Sequence, residues 1–306
     1  MESGLASILI PIFNGSNYLV EFLNSLKEQD YDKIQLVIRD DGSTDGSVEI
    51  CTKWINENRE FFHSILIDDA GEHLGLSGNI SRLADMAKGE FLFLADQDDI
   101  WLRNKISYQI QYMRAHPTCI CSLSDRSIAD ENMNIVEVSN YRYVGYKIKV
   151  LDFKEVIMHR TAYAANTMCI RGENSKNIFR LPDKIVLHDT FIAVMASHYG
   201  TVDFIFEPLL IYRVHKNNIS GNYGTEFSKN VFTCFLRNYK VSKRVIKSNK
   251  YDDIIIKQEL MNRFQINIDD YNNCFSRKRE TSRIRFAWRV TKQAFCSKVI
   301  GIWSKR

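Results

Sequence analysis

Phe91-Leu92-Phe93-Leu94-Ala95-Asp96-Gln97-Asp98-Asp99-Ile100-Trp101 decides how the rest of the chain is read. The apolar run predicts a short buried strand, which delivers three carboxylates within four positions before Ile100 and Trp101 resume the apolar pattern. Like charges this close raise each other's pKa unless a cation offsets them. Asp96, Asp98 and Asp99 therefore point to a hard divalent ion, Mg²⁺ or Mn²⁺, completed by water and the oxygens of a diphosphate. The alternative is a solvated turn whose carboxylates cap a helix starting near Leu102. The strand in front favours a site, because open α/β sheets bind ligands beyond the carboxyl ends of their strands.

Upstream, the same unit recurs. Ser7-Ile8-Leu9-Ile10-Pro11-Ile12-Phe13 is apolar and partly β-branched, as in a strand buried on both faces of a parallel sheet. Asn14-Gly15-Ser16-Asn17 breaks it and offers an N-cap to a helix over 18–28, where Leu19, Phe22, Leu23 and Leu26 share one face. A second strand over 34–38 runs into Arg39-Asp40-Asp41-Gly42-Ser43-Thr44-Asp45, a tight loop whose Asp side chains can accept hydrogen bonds from a base or ribose. Asp45 is read as a cap for the helix that follows, which ends near Asn58. Residues 62–68 form a third strand, and Gly75 and Gly78 open a helix ending near Lys88. Their spacing is neither of the usual phosphate-loop patterns. This alternation implies an α/β fold with an open, mainly parallel sheet and right-handed crossovers.

At 306 residues the chain can bury a sizeable core, and 45% hydrophobic with 25% charged residues is ordinary for a folded protein. No stretch approaches the roughly 20 apolar residues of a spanning helix, and Met1-Glu2-Ser3-Gly4 does not start a secretory signal. Seven cysteines without a CxxC pair fit reduced thiols in a cytosolic protein. The net charge of +4 is asymmetric: residues 276–306 carry ten Lys/Arg and one acid, giving +9, so residues 1–275 carry −5. A basic tail on an acidic body points to an anionic surface, lipid headgroups or nucleic acid.

Ile8 to Gly15, Arg39 to Asp45, and Leu94 to Trp101 together resemble the successive motifs of family 2 glycosyltransferases. The resemblance covers about residues 5–220. It implies the GT-A fold, a nucleotide-binding α/β half joined to an acceptor half, and inverting sugar transfer. The Asp-Gln-Asp-Asp-Ile-Trp wording, with His188-Asp189 and Tyr212 to Ser220, is similar to bacterial rhamnosyltransferase-like members that build surface polysaccharides.

By that resemblance Pro11, Phe13, Asn14, Asp40 and Asp41 line the base pocket, and Asp98 and Asp99 make the ribose and metal–diphosphate contacts, with Asp99 the first choice of metal ligand. Asp96 joins the donor site. Where many members carry an arginine this chain has Ser77-Gly78-Asn79, and Asn79 is the donor-site candidate there. His215 would complete the metal or diphosphate site, and Arg213 would meet a phosphate. Asp189 matches the family's position for the base that deprotonates the acceptor hydroxyl; its alternative is an ordinary helix N-cap.

The expected organisation is a catalytic domain over 1–223, split into a nucleotide-binding half (1–101) and an acceptor half (102–223), then a helical basic region over 224–306. In the acceptor half, the stretch between Trp101 and His116 reads as a helix from the spacing of Ile106, Ile110 and Met113, 119–123 as a strand, 130–149 as a loop over the acceptor, 160–170 as a segment returning to the sheet, and 191–198 as a helix. The tail interleaves Phe286, Trp288, Phe295 and Trp303 with Lys/Arg, which suits either a membrane interface or packing on the catalytic domain. The implied donor is dTDP-rhamnose or a UDP-hexose. The implied acceptor is a glycan or polyprenyl-diphosphate-linked oligosaccharide, at the cytoplasmic face of a membrane. Sugar-phosphate nucleotidyl transfer is the second reading, although Phe13 to Asn17 lacks the basic glycine-rich loop that it requires. Nucleic-acid binding through the tail is the third, and the acidic body disfavours it.

Overall fold

The computed structural model describes residues 1–68, 72–143, 150, 151, 156, 163–181, 188–216 and 218. Contacts group the chain into two units, Met1–Phe227 and Ser228–Arg306. The expected helical basic tail lies outside the described residues, as do most of 144–162, residues 182–187, Asn217 and Ile219 onward. Among the described residues no helix is long and apolar enough to cross a membrane.

The first unit begins with strand β1 (Glu2–Ile12), helix α1 (Leu19–Lys27), β2 (Ile34–Asp40), α2 (Ser47–Asn58), β3 (Ser64–Asp68), α3 (Gly75–Met86) and β4 (Gly89–Leu94). A two-residue β5 (Ile100–Trp101), α4 (Lys105–Ala115), β6 (Cys119–Ala129), β7 (Ile135–Glu137), β8 (Val150–Leu151), β9 (Met168–Arg171), a helix over His188–Ala196 and β10 (Thr201–Arg213) complete it. One sheet joins them in the order β3-β2-β1-β4-β9-β6-β10-β5, with β7 on β6 and β8 on β10.

β3, β2, β1 and β4 are all parallel. Their continuous apolar runs follow from this, since crossover helices cover both faces. Leu5 to Ile10 of β1 are all buried. One set of alternating residues, Ile8, Ile10, Leu36, Ile38, Phe91 and Phe93, shares a core with Phe22 and Leu26 of α1, Trp54 of α2 and Ile106, Ile110 and Met113 of α4. Burying each of these side chains contributes about 1.5–3 kcal/mol.

The sheet is more mixed than the βα alternation implies. β9 inserts antiparallel between β4 and β6, while β6 and β10 run parallel to each other. β9 is the tail end of the segment expected to return to the sheet, and it makes β6 and β10 co-directional with β4. The carboxyl ends of β1, β2, β4, β6 and β10 therefore share one edge. β6 continues six residues beyond the expected strand.

Candidate functional site

Along that edge the β1–α1 loop is held by side chains. The backbone N–H groups of four successive residues each donate to a side-chain oxygen: Phe13 to Gln97 Oε1 (3.1 Å), Asn14 to Ser43 Oγ (2.8 Å), Gly15 to Ser47 Oγ (2.9 Å) and Ser16 to Asp45 Oδ2 (2.9 Å). Asn14 adopts φ 48°, and its Oδ1 accepts from Thr44 N–H. No side chain caps α1, contrary to the expectation for Asn14 to Asn17. The loop's own polar side chains face the β2–α2 loop instead.

Asp45 accepts from the Ser47 N–H and hydroxyl and from Ser16. Burial opposes its ionisation, but these hydrogen bonds outweigh it and hold the carboxyl down at about 2.

Of the residues expected around the base, Phe13 is 47% exposed and its ring centroid lies 5.5 Å from that of His73, across the mouth between the β1 and β3 loops. Pro11 is half-buried at the end of β1 beside Arg39 of β2. Asp40 Oδ2 accepts from the N–H groups of Gly42 and Ser43, forming the turn.

Asp41 is buried, and its carboxylate takes Arg39 Nη1, Leu74 N–H and Gly75 N–H, each at 2.8 Å. It anchors the start of α3, where a carboxylate also complements the helix N-terminus. Asn79 is buried on α3, its amide 3.4 Å from the Arg39 carbonyl.

At the acidic turn the three aspartates diverge. Asp99 is completely buried and accepts from Asn166 Nδ2 at 2.5 Å and from the Arg213 N–H at 3.4 Å. Burial first, then the charges of Asp96 and Asp98, push its pKa well up, against the Asn166 hydrogen bond and the Arg126 charge. Asp96 is raised to about 7 by burial and the Asp98 charge, with Asp189 adding to the rise and Arg126 opposing it. Asp98 keeps 18% of its side chain exposed, and its Oδ2 lies 2.8 Å from His215 Nε2 and 3.2 Å from Asn218 Nδ2.

Arg213, the last residue of β10, has a buried guanidinium that reaches protein acceptors. Its Nε donates to the Asp98 carbonyl at 3.1 Å, Nη1 to the Glu131 carbonyl at 3.5 Å, and Nη2 pairs with Glu21 of α1. It also lies 4.8 Å over the Tyr18 ring. Asp189 opens the helix over His188–Ala196 and accepts from the Thr190 N–H. Asp125 is buried and accepts from the Ser139 hydroxyl and from the N–H groups of Tyr141 and Arg126.

The structure thus gathers Asp96, Asp98, Asp99, Arg213 and His215 at one turn, with Asp189 within electrostatic reach of Asp96. Among the described residues no group of three or more His, Cys, Asp or Glu side chains forms a closed metal site. Asp98 Oδ2 and His215 Nε2, 2.8 Å apart and both within 3.2 Å of Asn218 Nδ2, are two side-chain atoms at this turn that could ligate an ion. Two protein ligands suit an Mg²⁺ or Mn²⁺ that draws its other oxygens from water and a diphosphate.

Asn166, Arg126, Tyr18 and Gln97 were not singled out from sequence. Asn166 lies 67 residues from Asp99 in an unremarkable Ala-Ala-Asn-Thr context and gives no local signal. Gln97 sits inside the acidic motif, and only its reach to Phe13 shows its part.

Comparison with known proteins places this geometry. The family model described as "Glycosyl transferase family 2" matches residues 7–168, just over half of the chain. The Glycosyltransferase GlyG of Streptococcus pneumoniae serotype 4 is 34% identical over 115 residues, 37% of this chain, and that stretch spans only 36% of GlyG. S. aureus TarS 1-349, solved with UDP-GlcNAc, superposes at a TM-score of 0.62 with 16% identity, covering 84% of this chain and 71% of TarS. The mannosyltransferase PcManGT of Pyrobaculum calidifontis, solved with GDP-Man and Mn²⁺, superposes at 0.54 with 13% identity over 98% of this chain and 88% of its own. These likenesses establish the GT-A type of α/β fold, and from the family match over residues 7–168 the chain belongs to glycosyl transferase family 2.

Proposed function

We propose that this chain transfers a sugar, with inversion, from a nucleoside-diphosphate donor to a hydroxyl of a glycan or polyprenyl-diphosphate-linked acceptor. The observation that carries this reading is the meeting of Asp98 and His215 at the carboxyl edge of β4, with the charge of Asp189, at the start of another helix, near enough to help raise the pKa of Asp96.

The base would lie in the mouth between Phe13 and His73, and its diphosphate would run toward Asp98 and His215. Asp98 and His215 would hold Mn²⁺ or Mg²⁺, which when bound offsets the charge of the departing diphosphate. Asp189 takes the proton from the acceptor hydroxyl as it attacks the anomeric carbon opposite the leaving group. In this reading Asp99, the first choice of metal ligand from the resemblance, gives that place to Asp98, because its buried carboxylate is taken by Asn166 and the Arg213 N–H. Arg213, expected at a phosphate, is taken by Glu21 and two carbonyls. The donor fits dTDP-rhamnose or a UDP-hexose, and assembly of a bacterial surface polysaccharide fits the acceptor class. TarS was solved with a UDP-sugar and PcManGT with a GDP-sugar and Mn²⁺, which supports the donor class and leaves the base to be measured.

Sugar-phosphate nucleotidyl transfer is disfavoured by the β1–α1 loop. Its N–H groups from Phe13 to Ser16 already donate to protein side chains and offer no cradle to a triphosphate.

Calorimetric titration of UDP, dTDP and GDP, with Mn²⁺ and with chelator, tests the reading. One diphosphate should bind, more tightly with metal, and Asp98→Ala should remove the metal dependence. Absence of binding by all three would overturn it.

A further inference from the structure

Tyr18 belongs to none of the motifs, yet it touches both ends of the candidate site. Its N–H donates to the Gly15 carbonyl at 3.0 Å, so it closes the loop that carries Phe13. Its ring centroid lies 4.6 Å from that of His215, the planes tilted by 33°. The Arg213 guanidinium covers the same ring at 4.8 Å and is fixed by Glu21, one turn further along α1. From the other side, Asn218 Oδ1 accepts the His215 N–H at 2.5 Å, and Asn218 Nδ2 donates to Asp98 Oδ2 at 3.2 Å. An imidazole turns about two side-chain bonds. With the backbone held by Asn218 and a ring against one face, its Nε2 stays directed at Asp98.

We propose that Tyr18 is a positioning residue, the aromatic wall that sets His215 for metal binding and ties it mechanically to the loop bearing Phe13. This rests on the reading of His215 as a metal ligand. A ligand held in its bound orientation loses less freedom when the ion arrives, and supporting partners of metal ligands typically change affinity by about 10- to 100-fold. Ring contact is the property required, so the hydroxyl is dispensable and an aliphatic replacement is not adequate.

The test is Mn²⁺ binding to the full chain by electron paramagnetic resonance, with no nucleotide, in wild type, Tyr18→Phe, Tyr18→Leu and His215→Ala. Tyr18→Phe should match wild type, and Tyr18→Leu should weaken Mn²⁺ about tenfold. His215→Ala should weaken it at least as much. Wild-type affinity in Tyr18→Leu, or equal loss in Tyr18→Phe and Tyr18→Leu, would overturn the inference while leaving His215 as a ligand. Wild-type affinity in His215→Ala would overturn the ligand reading itself. A measurement on the unaltered chain guards against a misfolded variant. Substoichiometric Mn²⁺ should broaden the ring resonances of His215 and Tyr18 together, and a Tyr18 ring left sharp would sink the proposal.

Discussion

The side-chain amide of Gln97 exchanges two hydrogen bonds with the backbone of Phe13, accepting from its N–H at 3.1 Å and donating to its carbonyl at 2.8 Å. A residue from the acidic turn thereby completes the edge of β1 as a neighbouring strand would, fixing the angle at which the Phe13 ring meets the pocket mouth. Gly15 makes room for it, since a Cβ there would stand 2.3 Å from the Gln97 amide.

Gln97→Ala should weaken nucleotide binding by about 1–2 kcal/mol, roughly tenfold, through loss of two partly exposed hydrogen bonds. Gly15→Ala should do the same by evicting the amide. The double variant, measured by the same titration, should be no worse than either single one; additive losses would mean that the two positions act separately.

Asp41→Ala should destabilise the fold around the start of α3. It strands the buried Arg39 guanidinium and two N–H groups at the start of α3, at a cost of about 3–5 kcal/mol in urea denaturation. A loss below about 1 kcal/mol would show that Arg39 finds Asp68, 3.6 Å away, an adequate substitute.

Lys105 is completely buried, its ammonium donating to Gln109 Oε1 at 2.8 Å and lying 4.8 Å over the Trp101 ring. Burial depresses its pKa to about 7, against the opposing influence of Cys169 and Asp99. Between that value and about 10.4 the unfolded chain binds the proton and the folded chain does not. The contribution of Lys105 to stability therefore rises with pH, approaching about 1.4 kcal/mol per pH unit. Below pH 7 both states are protonated and the full cost of the buried charge is felt. Lys105→Met should flatten the rise between pH 7.5 and 8.5 in denaturant titrations. Parallel pH curves for the two proteins would mean that Lys105 stays charged in the fold.

Asp189→Asn should keep the nucleotide affinity and lose transfer by about a hundredfold or more, the usual worth of a positioned base. Single-turnover transfer at the wild-type rate would remove Asp189 from that role.

The first 115 residues were legible because their signals are local. Apolar runs of the right length gave β1, β2 and β4, and helical spacing gave α1 and α4, to within a few residues except at the start of β1. β10 was not legible. Glu207-Pro208 interrupts its apolar pattern, and the register against β6 shifts on both sides of Pro208, so the strand survives only through its neighbours.

The acidic turn was found as a group, but sequence could not say which carboxylate is buried. That is decided by Asn166 and by the Arg213 N–H, which come from elements 67 and 114 residues away. Arg213 read as an anion contact because charge and loop context suggested it. Its partners, Glu21 and the carbonyls of Asp98 and Glu131, are visible only in three dimensions.

The antiparallel insertion of β9 bears on how the enzyme could move. Because β9 bonds to β4 on one side and β6 on the other, the β3-β2-β1-β4 strands and the β6-β10 pair are joined in one hydrogen-bonded ladder among the described residues. The two halves cannot rock about a hinge as clamshell enzymes do without tearing main-chain bonds. Under the proposed transfer, a segment shielding the sugar from water would belong to the rim of the sheet, and its opening could be fast and local while the floor stays rigid.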